Sequence, residues 1–241
     1  LCVDKEGDTV PRVEKDIGRF LRSKRAECGI HLLSDDTTLD NFEIYYFGQE
    51  LPDSVRPDFR NDFHVWLRSE FVKRVGADSL ANFVRSLAEV LPCSFGYATP
   101  ALRYEDYEVS FKARQRAERY PGFEIMPSGA PEVTIGERIS GTYWINVLGP
   151  SLTEAVGGRE RLRRELPMET TVELMTNSST FVRLGREPRV GDTNRGEDLS
   201  LYRIFARLTA EHLHVPEMTY LVDETGEPDE EAVARWHCRF L

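Results

Sequence analysis

Ile139-Ser-Gly-Thr-Tyr-Trp-Ile-Asn-Val-Leu-Gly-Pro-Ser-Leu-Thr-Glu-Ala-Val-Gly-Gly158 is the stretch around which the other elements of the 241-residue chain arrange themselves. Thr142 to Leu148 is dense in β-branched and aromatic residues, which predicts a strand buried on at least one face. Gly149 and Pro150 stop that strand. Proline has its φ pre-set for a first helical turn, so Ser151 to Val156 reads as a helix, and Gly157-Gly158 supplies the positive φ that ends it. Strand, tight turn and helix follow from this pattern, and no chemistry does.

Working outward toward the N-terminus, Ser94 to Leu102 predicts a strand whose small residues, Gly96 and Ala98, would admit another backbone closely. Before it, Asp78 to Val90 places Leu80, Phe83, Val84, Leu87 and Leu91 at helical spacing, the clearest amphipathic helix in the chain. Phe42 to Phe47 and Phe63 to Phe71 read as strands, and Val13 to Glu27 as a helix ended by Gly29. Tyr104 to Tyr120 reads as a charged helix. The Pro121, Pro127, Gly129, Pro131 cluster marks a loop, so two lobes would divide near 121–138.

Toward the C-terminus, Arg159 to Leu166 is a basic helix, and Thr170 to Met175 and Thr180 to Leu184 make a hairpin. A polar loop, Gly185 to Asp198, leads into a helix from Leu199 to Leu213 with Asp198 as its N-cap. A short terminal helix carries Trp236. The fold class is therefore α+β: mainly antiparallel sheets packed by amphipathic helices, in one domain over 1–241 that could comprise two similar lobes. Tyr45, Tyr46, Phe47, Trp66 and Trp144 are expected in the core.

Composition bounds the function. With 40% hydrophobic and 30% charged residues the chain can build its own core and needs no metal or disulfide staple. No apolar run approaches the roughly 20 residues a membrane-spanning helix requires. Cys2, Cys28, Cys93 and Cys238 are scattered, the pattern of reduced thiols in a cytoplasmic protein. A net charge of −10 argues against direct nucleic-acid binding, which needs a basic stripe. It permits the reverse, an acidic surface that docks on a basic partner.

Catalytic arrangements are scarce. His212 and His214, together with His237 and Cys238, and the Gly191 to Asp198 loop could serve a metal- or small-ligand-binding enzyme. The plainer readings are helix-terminal histidines and a turn that caps the next helix. Asp223, Glu224, Glu227, Asp229, Glu230 and Glu231 form a run without a single base, either a solvated face or a partner-facing patch.

Five pieces, in order, carry a resemblance. They are Phe95-Gly-Tyr-Ala98, Arg119-Tyr-Pro-Gly122, Gly141 to Pro150 with Gly157-Gly158, Val190 to Asp198, and Tyr202-Arg-Ile-Phe-Ala-Arg207. Together they resemble the type VI secretion immunity family whose members are immunity proteins to VRR-NUC nuclease effectors, most firmly from Ala77 to Leu213. The resemblance implies a cytoplasmic bacterial protein without catalysis or cofactor. Such a protein binds a DNA-cleaving effector, one-to-one or as a homodimer. It carries over no contact residue. Charge alone nominates Asp35, Asp36, Glu105, Asp106, Asp223, Glu224, Glu227, Asp229, Glu230 and Glu231 as the partner-binding surface.

Overall fold

The computed structural model describes residues 2–3, 9–10, 27–33, 42–49, 60–104, 107–127, 135–216 and 220–241. Its contacts form two compact units, Leu1–Gly76 with Pro131–Gly136, and Ala77–Ala130 with Glu137–Leu241.

In the first unit, β1 (Cys2–Val3) pairs with β2 (Thr9–Val10), and β3 (Glu27–Leu33), β4 (Phe42–Gln49) and β5 (Asp62–Leu67) form an antiparallel meander. Ile30, Tyr46 and Phe63 share one cross-strand row and His31, Tyr45 and His64 the next, so apolar and polar rows alternate. The expected helix end at Glu27 to Gly29 is instead strand, with Gly29 opposite Phe47. Ile30 and Leu32 alternate with His31 here, and the period of two prevails over the glycine. The rest of that expected helix, 13–26, lies outside the described residues.

The expected strand Phe63 to Phe71 ends at Leu67, and Phe71 belongs to α1 (Ser69–Val75). Glu70 in its first turn and Lys73 and Arg74 in its last suit the helix dipole, and Gly76 closes it at φ 81°. Tyr45, Tyr46, Phe47 and Trp66 are half-buried rather than core.

The second unit is built on a four-stranded antiparallel sheet in the order Thr170–Leu174, Thr180–Leu184, Ile145–Leu148, Phe95–Ala98. It comprises α2 (Ala77–Val90), β6 (Phe95–Ala98), β7 (Ala101–Tyr104), α3 (Tyr107–Arg119), β8 (Glu124–Pro127) and β9 (Ile145–Leu148). Then follow α4 (Pro150–Ala155), α5 (Gly158–Glu165), β10 (Thr170–Leu174), β11 (Thr180–Leu184), α6 (Ser200–Thr209) and α7 (Glu230–His237).

The predicted central strand is β9, every residue of which is buried. Its one polar side chain, Asn146, is satisfied locally. Its Oδ1 accepts from the Tyr143 amide (3.1 Å) and its Nδ2 donates to the Tyr143 carbonyl (2.7 Å). Pro150 occupies the first turn of α4, and Gly157 takes φ 91° beyond it. α2 is tied to the sheet by Arg183–Asp78 (2.7 Å) and Arg85–Glu173 (3.1 Å). Trp144, fully buried, donates its indole N–H to the Gly185 carbonyl at 3.2 Å.

Three expectations change in this unit. The strand from Ser94 to Leu102 is two strands, broken at Thr99-Pro100. β6 joins the main sheet, while β7 pairs in parallel with β8, which lies inside the expected 121–138 loop. Pro100 lacks an N–H for a continuous ladder, but its carbonyl accepts the Glu124 amide at 2.9 Å. The close backbone approaches are at Gly122 and Gly149 rather than Gly96. A Cβ on Gly149 would lie 2.4 Å from the Cys93 carbonyl oxygen, whereas one on Gly96 meets only ordinary contacts. Finally, α6 starts from Leu199, because the Asp198 carboxylate accepts from Arg203 (2.9 Å) instead of capping. It ends at Thr209, and a 3-10 turn continues to His212.

Candidate partner-binding surface

The acidic run near the C-terminus is a folded element. Val222 bridges Pro228, and the Asp223 amide donates to the Glu227 carbonyl at 2.9 Å, closing a turn in which Gly226 takes φ 89°. The Asp223 Oδ1 accepts from the Thr225 hydroxyl (2.7 Å), the Thr225 amide (2.8 Å) and the Glu227 amide (3.1 Å). These bonds, the Thr225 hydroxyl foremost, hold its carboxyl below the usual range.

Asp229 caps α7, its Oδ1 accepting from the Ala232 amide at 2.8 Å, and its Oδ2 accepts from Arg114 of α3 at 2.7 Å. The cap and then the arginine lower its pKa. Asp229→Ala should therefore cost about 1 kcal/mol, as the loss of an N-cap does, measured by chemical denaturation.

With Asp223 and Asp229 engaged inward, Glu224, Glu227, Glu230 and Glu231 are the members that face solvent. Glu231 pairs with Arg235 one turn on (3.2 Å), a weak exposed contact. The six acids thus divide into two that build the turn and four that present charge. Asp35, Asp36, Glu105 and Asp106 lie outside the described residues.

The histidines do not converge on an ion. His212 Nε2 lies 3.2 Å from the Ala155 carbonyl. His214 is buried. His237 donates from Nδ1 to the Ser140 carbonyl (2.7 Å), and its Nε2 lies 2.9 Å from the Tyr220 hydroxyl. Among the described residues no group of three His, Cys, Asp or Glu side chains is placed to hold a metal.

The Gly191 to Asp198 loop is likewise structural. Asp192 receives Arg119 through both carboxylate oxygens (2.9 and 2.8 Å), and its Oδ1 also accepts the Asn194 amide (3.0 Å). The bidentate guanidinium is the main reason its carboxyl titrates low. Nearby, the Gly122 amide donates to the Val190 carbonyl (2.8 Å), and a Cβ on Gly122 would lie 2.1 Å from the Arg189 carbonyl oxygen. Two motifs far apart in the chain are therefore stapled together. Gly122→Ala should lower the thermal midpoint by several degrees through this backbone clash, as read by circular dichroism.

The other motifs are knitted in the same manner. Tyr97 stacks on Tyr143 with centroids 3.8 Å apart, and the Tyr202 ring lies 5.4 Å from that of Phe240. The pieces that gave the chain its resemblance are thus fold determinants, and a match to their family runs from residue 10 to residue 240, under the description "Type VI immunity for VRR-NUC". The chain belongs to this family of type VI immunity proteins.

A solved structure of similar fold is the Pseudomonas aeruginosa T6SS protein PA0821, with a TM-score of 0.66 and 15% identity. The likeness covers 87% of this chain and 62% of that one. At that identity the likeness speaks for the fold alone, and the chain spans under two thirds of that protein's length. No curated protein matches it.

One further cluster of this immunity-family chain has no signature in the sequence. Glu124, with 5% of its side chain exposed, accepts from the Trp236 indole (2.8 Å), the Ile125 amide (2.9 Å) and Arg239 (3.2 Å). Arg239, at 7%, also donates to the carbonyls of Pro121 (2.9 Å), Trp236 (2.8 Å) and Phe123 (3.3 Å). Burial works against the Glu124 carboxylate, but Arg239, His237 and the two N–H donors outweigh it, and its pKa falls. Burial, and then the charge of Glu124, push the Tyr143 and Tyr220 hydroxyls well above their usual range. Only an acid followed by an arginine 115 positions later could have signalled the pair, and no periodicity connects them.

Proposed function

We propose that this protein binds and inhibits a cognate type VI-secreted VRR-NUC nuclease in the cytoplasm, protecting the producing cell and its siblings. It does so as a stoichiometric binder without catalysis, cofactor or direct contact with nucleic acid. The family match across residues 10–240 carries this reading. The net charge of −10 supports it, since a nuclease must present a basic face to its DNA and an acidic inhibitor is steered toward such a face. Glu224, Glu227, Glu230 and Glu231, fixed on a closed turn and a capped helix, are the proposed contact charges.

The deciding experiment titrates the purified protein into the nuclease domain of its cognate effector, following DNA cleavage and the heat of binding. Tight one-to-one binding that stops cleavage supports the proposal. Two folded partners that do not bind would sink it.

The contact surface has its own test. Glu230→Lys combined with Glu231→Lys should slow association about tenfold at low salt and flatten its salt dependence. Rates that match the unaltered protein at every salt concentration would move the interface elsewhere.

A further inference from the structure

β10 is an outer strand of the four-stranded sheet, and its register fixes which backbone groups face away. The Met175 amide donates to the Ser179 carbonyl at 2.8 Å. Hydrogen-bonded pairs with β11 therefore recur at Glu173–Phe181 and Thr171–Arg183, and the N–H and C=O groups of Thr170, Val172 and Leu174 point outward. Such a row is a template for another strand. Met168 before it is fully exposed and Leu174 at its end is 50% exposed, so apolar surface flanks the edge.

The edge is self-complementary. If two copies meet antiparallel about a two-fold axis through Val172, that residue faces its counterpart, Thr170 faces Leu174, and Thr171 faces Glu173. No charge then faces its like across the junction. In this register the central bonds join the Val172 N–H of each copy to the Val172 carbonyl of the other.

That carbonyl is occupied. Arg163, the residue of α5 after the buried Leu162, donates from Nε to the Val172 oxygen at 3.0 Å. A second contact, from the Thr170 amide to the Pro167 carbonyl (2.9 Å), takes up one more outward group. Leu166 and Pro167 line a shallow groove along the strand with Arg163 at its side.

We propose that Arg163 guards this edge: by holding the Val172 carbonyl, its guanidinium keeps the chain from pairing β10 with β10 of a second copy. The inference stands independently of the nuclease reading. Arg163 is exposed, and its backbone partner is the carbonyl at the centre of the self-pairing register.

Sedimentation velocity over a concentration series tests it with Arg163→Ser, which removes the donor without adding an apolar surface. The expected result is about tenfold stronger self-association than the unaltered chain, the effect one charge-assisted hydrogen bond carries. The Val172 and Leu174 amides should gain protection from hydrogen exchange. Adding Leu174→Pro should abolish the gain, because it deletes an outward donor and leaves the β11 ladder whole. Arg163→Gln, with its shorter side chain, is a second variant for which the same result is expected. Unchanged self-association in both folded variants would overturn the proposal, as would a dimer that survives Leu174→Pro.

Discussion

Arg239→Met is expected to destabilise the protein by about 3–5 kcal/mol, the usual result of removing one partner from a buried ion pair. The substitution keeps the aliphatic stem. It strips the Glu124 carboxylate of its counter-charge and leaves the carbonyls of Pro121 and Phe123 without their guanidinium donor. The guanidinium also lies 4.0 Å from the Trp236 ring centroid, so a cation–π contact is lost with it.

The pH dependence identifies the charge as the source. In the intact protein Glu124 has a folded pKa below its ordinary value of 4.5. Its contribution is therefore whole above that pH and is lost as pH falls through the lower folded value. Without Arg239, burial dominates and the carboxyl titrates high, so acidification neutralises a buried charge and relieves the variant. The stability gap between the two proteins should narrow steadily from pH 7 toward pH 4. A gap that stays constant across that range would show that packing, and not the ion pair, carries the effect.

The second large effect is expected at the centre of the sheet. Trp144→Ala should cost about 3–5 kcal/mol, because the ring is wholly buried and its neighbours can collapse only partly into the space it leaves. It also deletes the indole bond to Gly185 and the ring under Arg183, whose guanidinium lies 5.2 Å from its centroid. Against a total of roughly 5–15 kcal/mol for a folded domain, either substitution leaves little margin. Trp144→Phe should fall between the parent and the alanine variant. The measurement is guanidinium unfolding followed by circular dichroism, and a loss under about 1 kcal/mol would be at odds with a core position.

The acidic turn shows how charge and structure divide within one short stretch. From the sequence, Asp223 to Glu231 is six equivalent acids in a run without a base. In the fold, Asp223 and Asp229 close a turn and cap a helix, and Arg114 reaches from α3 to hold the second. The four remaining glutamates keep their charge for solvent or a partner, which is why the double lysine substitution is placed at Glu230 and Glu231.

Local pattern settles a good deal of this protein. The strand, turn and helix around Gly149-Pro150, the amphipathic α2 and the 170–184 hairpin follow from side-chain period and from backbone φ, properties that act over a few residues. The family, too, is written in the ordered motifs between Phe95 and Arg207. Tertiary packing decides what those motifs do. Arg119 closing on Asp192, Gly122 lying against Arg189, and Glu124 buried against Arg239 join residues separated by some 70 to 115 positions. The break at Pro100 that sends β7 to pair with β8 is of the same kind. Such contacts leave no periodic trace in the chain, because their energy comes from burial and exclusion of water that exist only once distant segments have met.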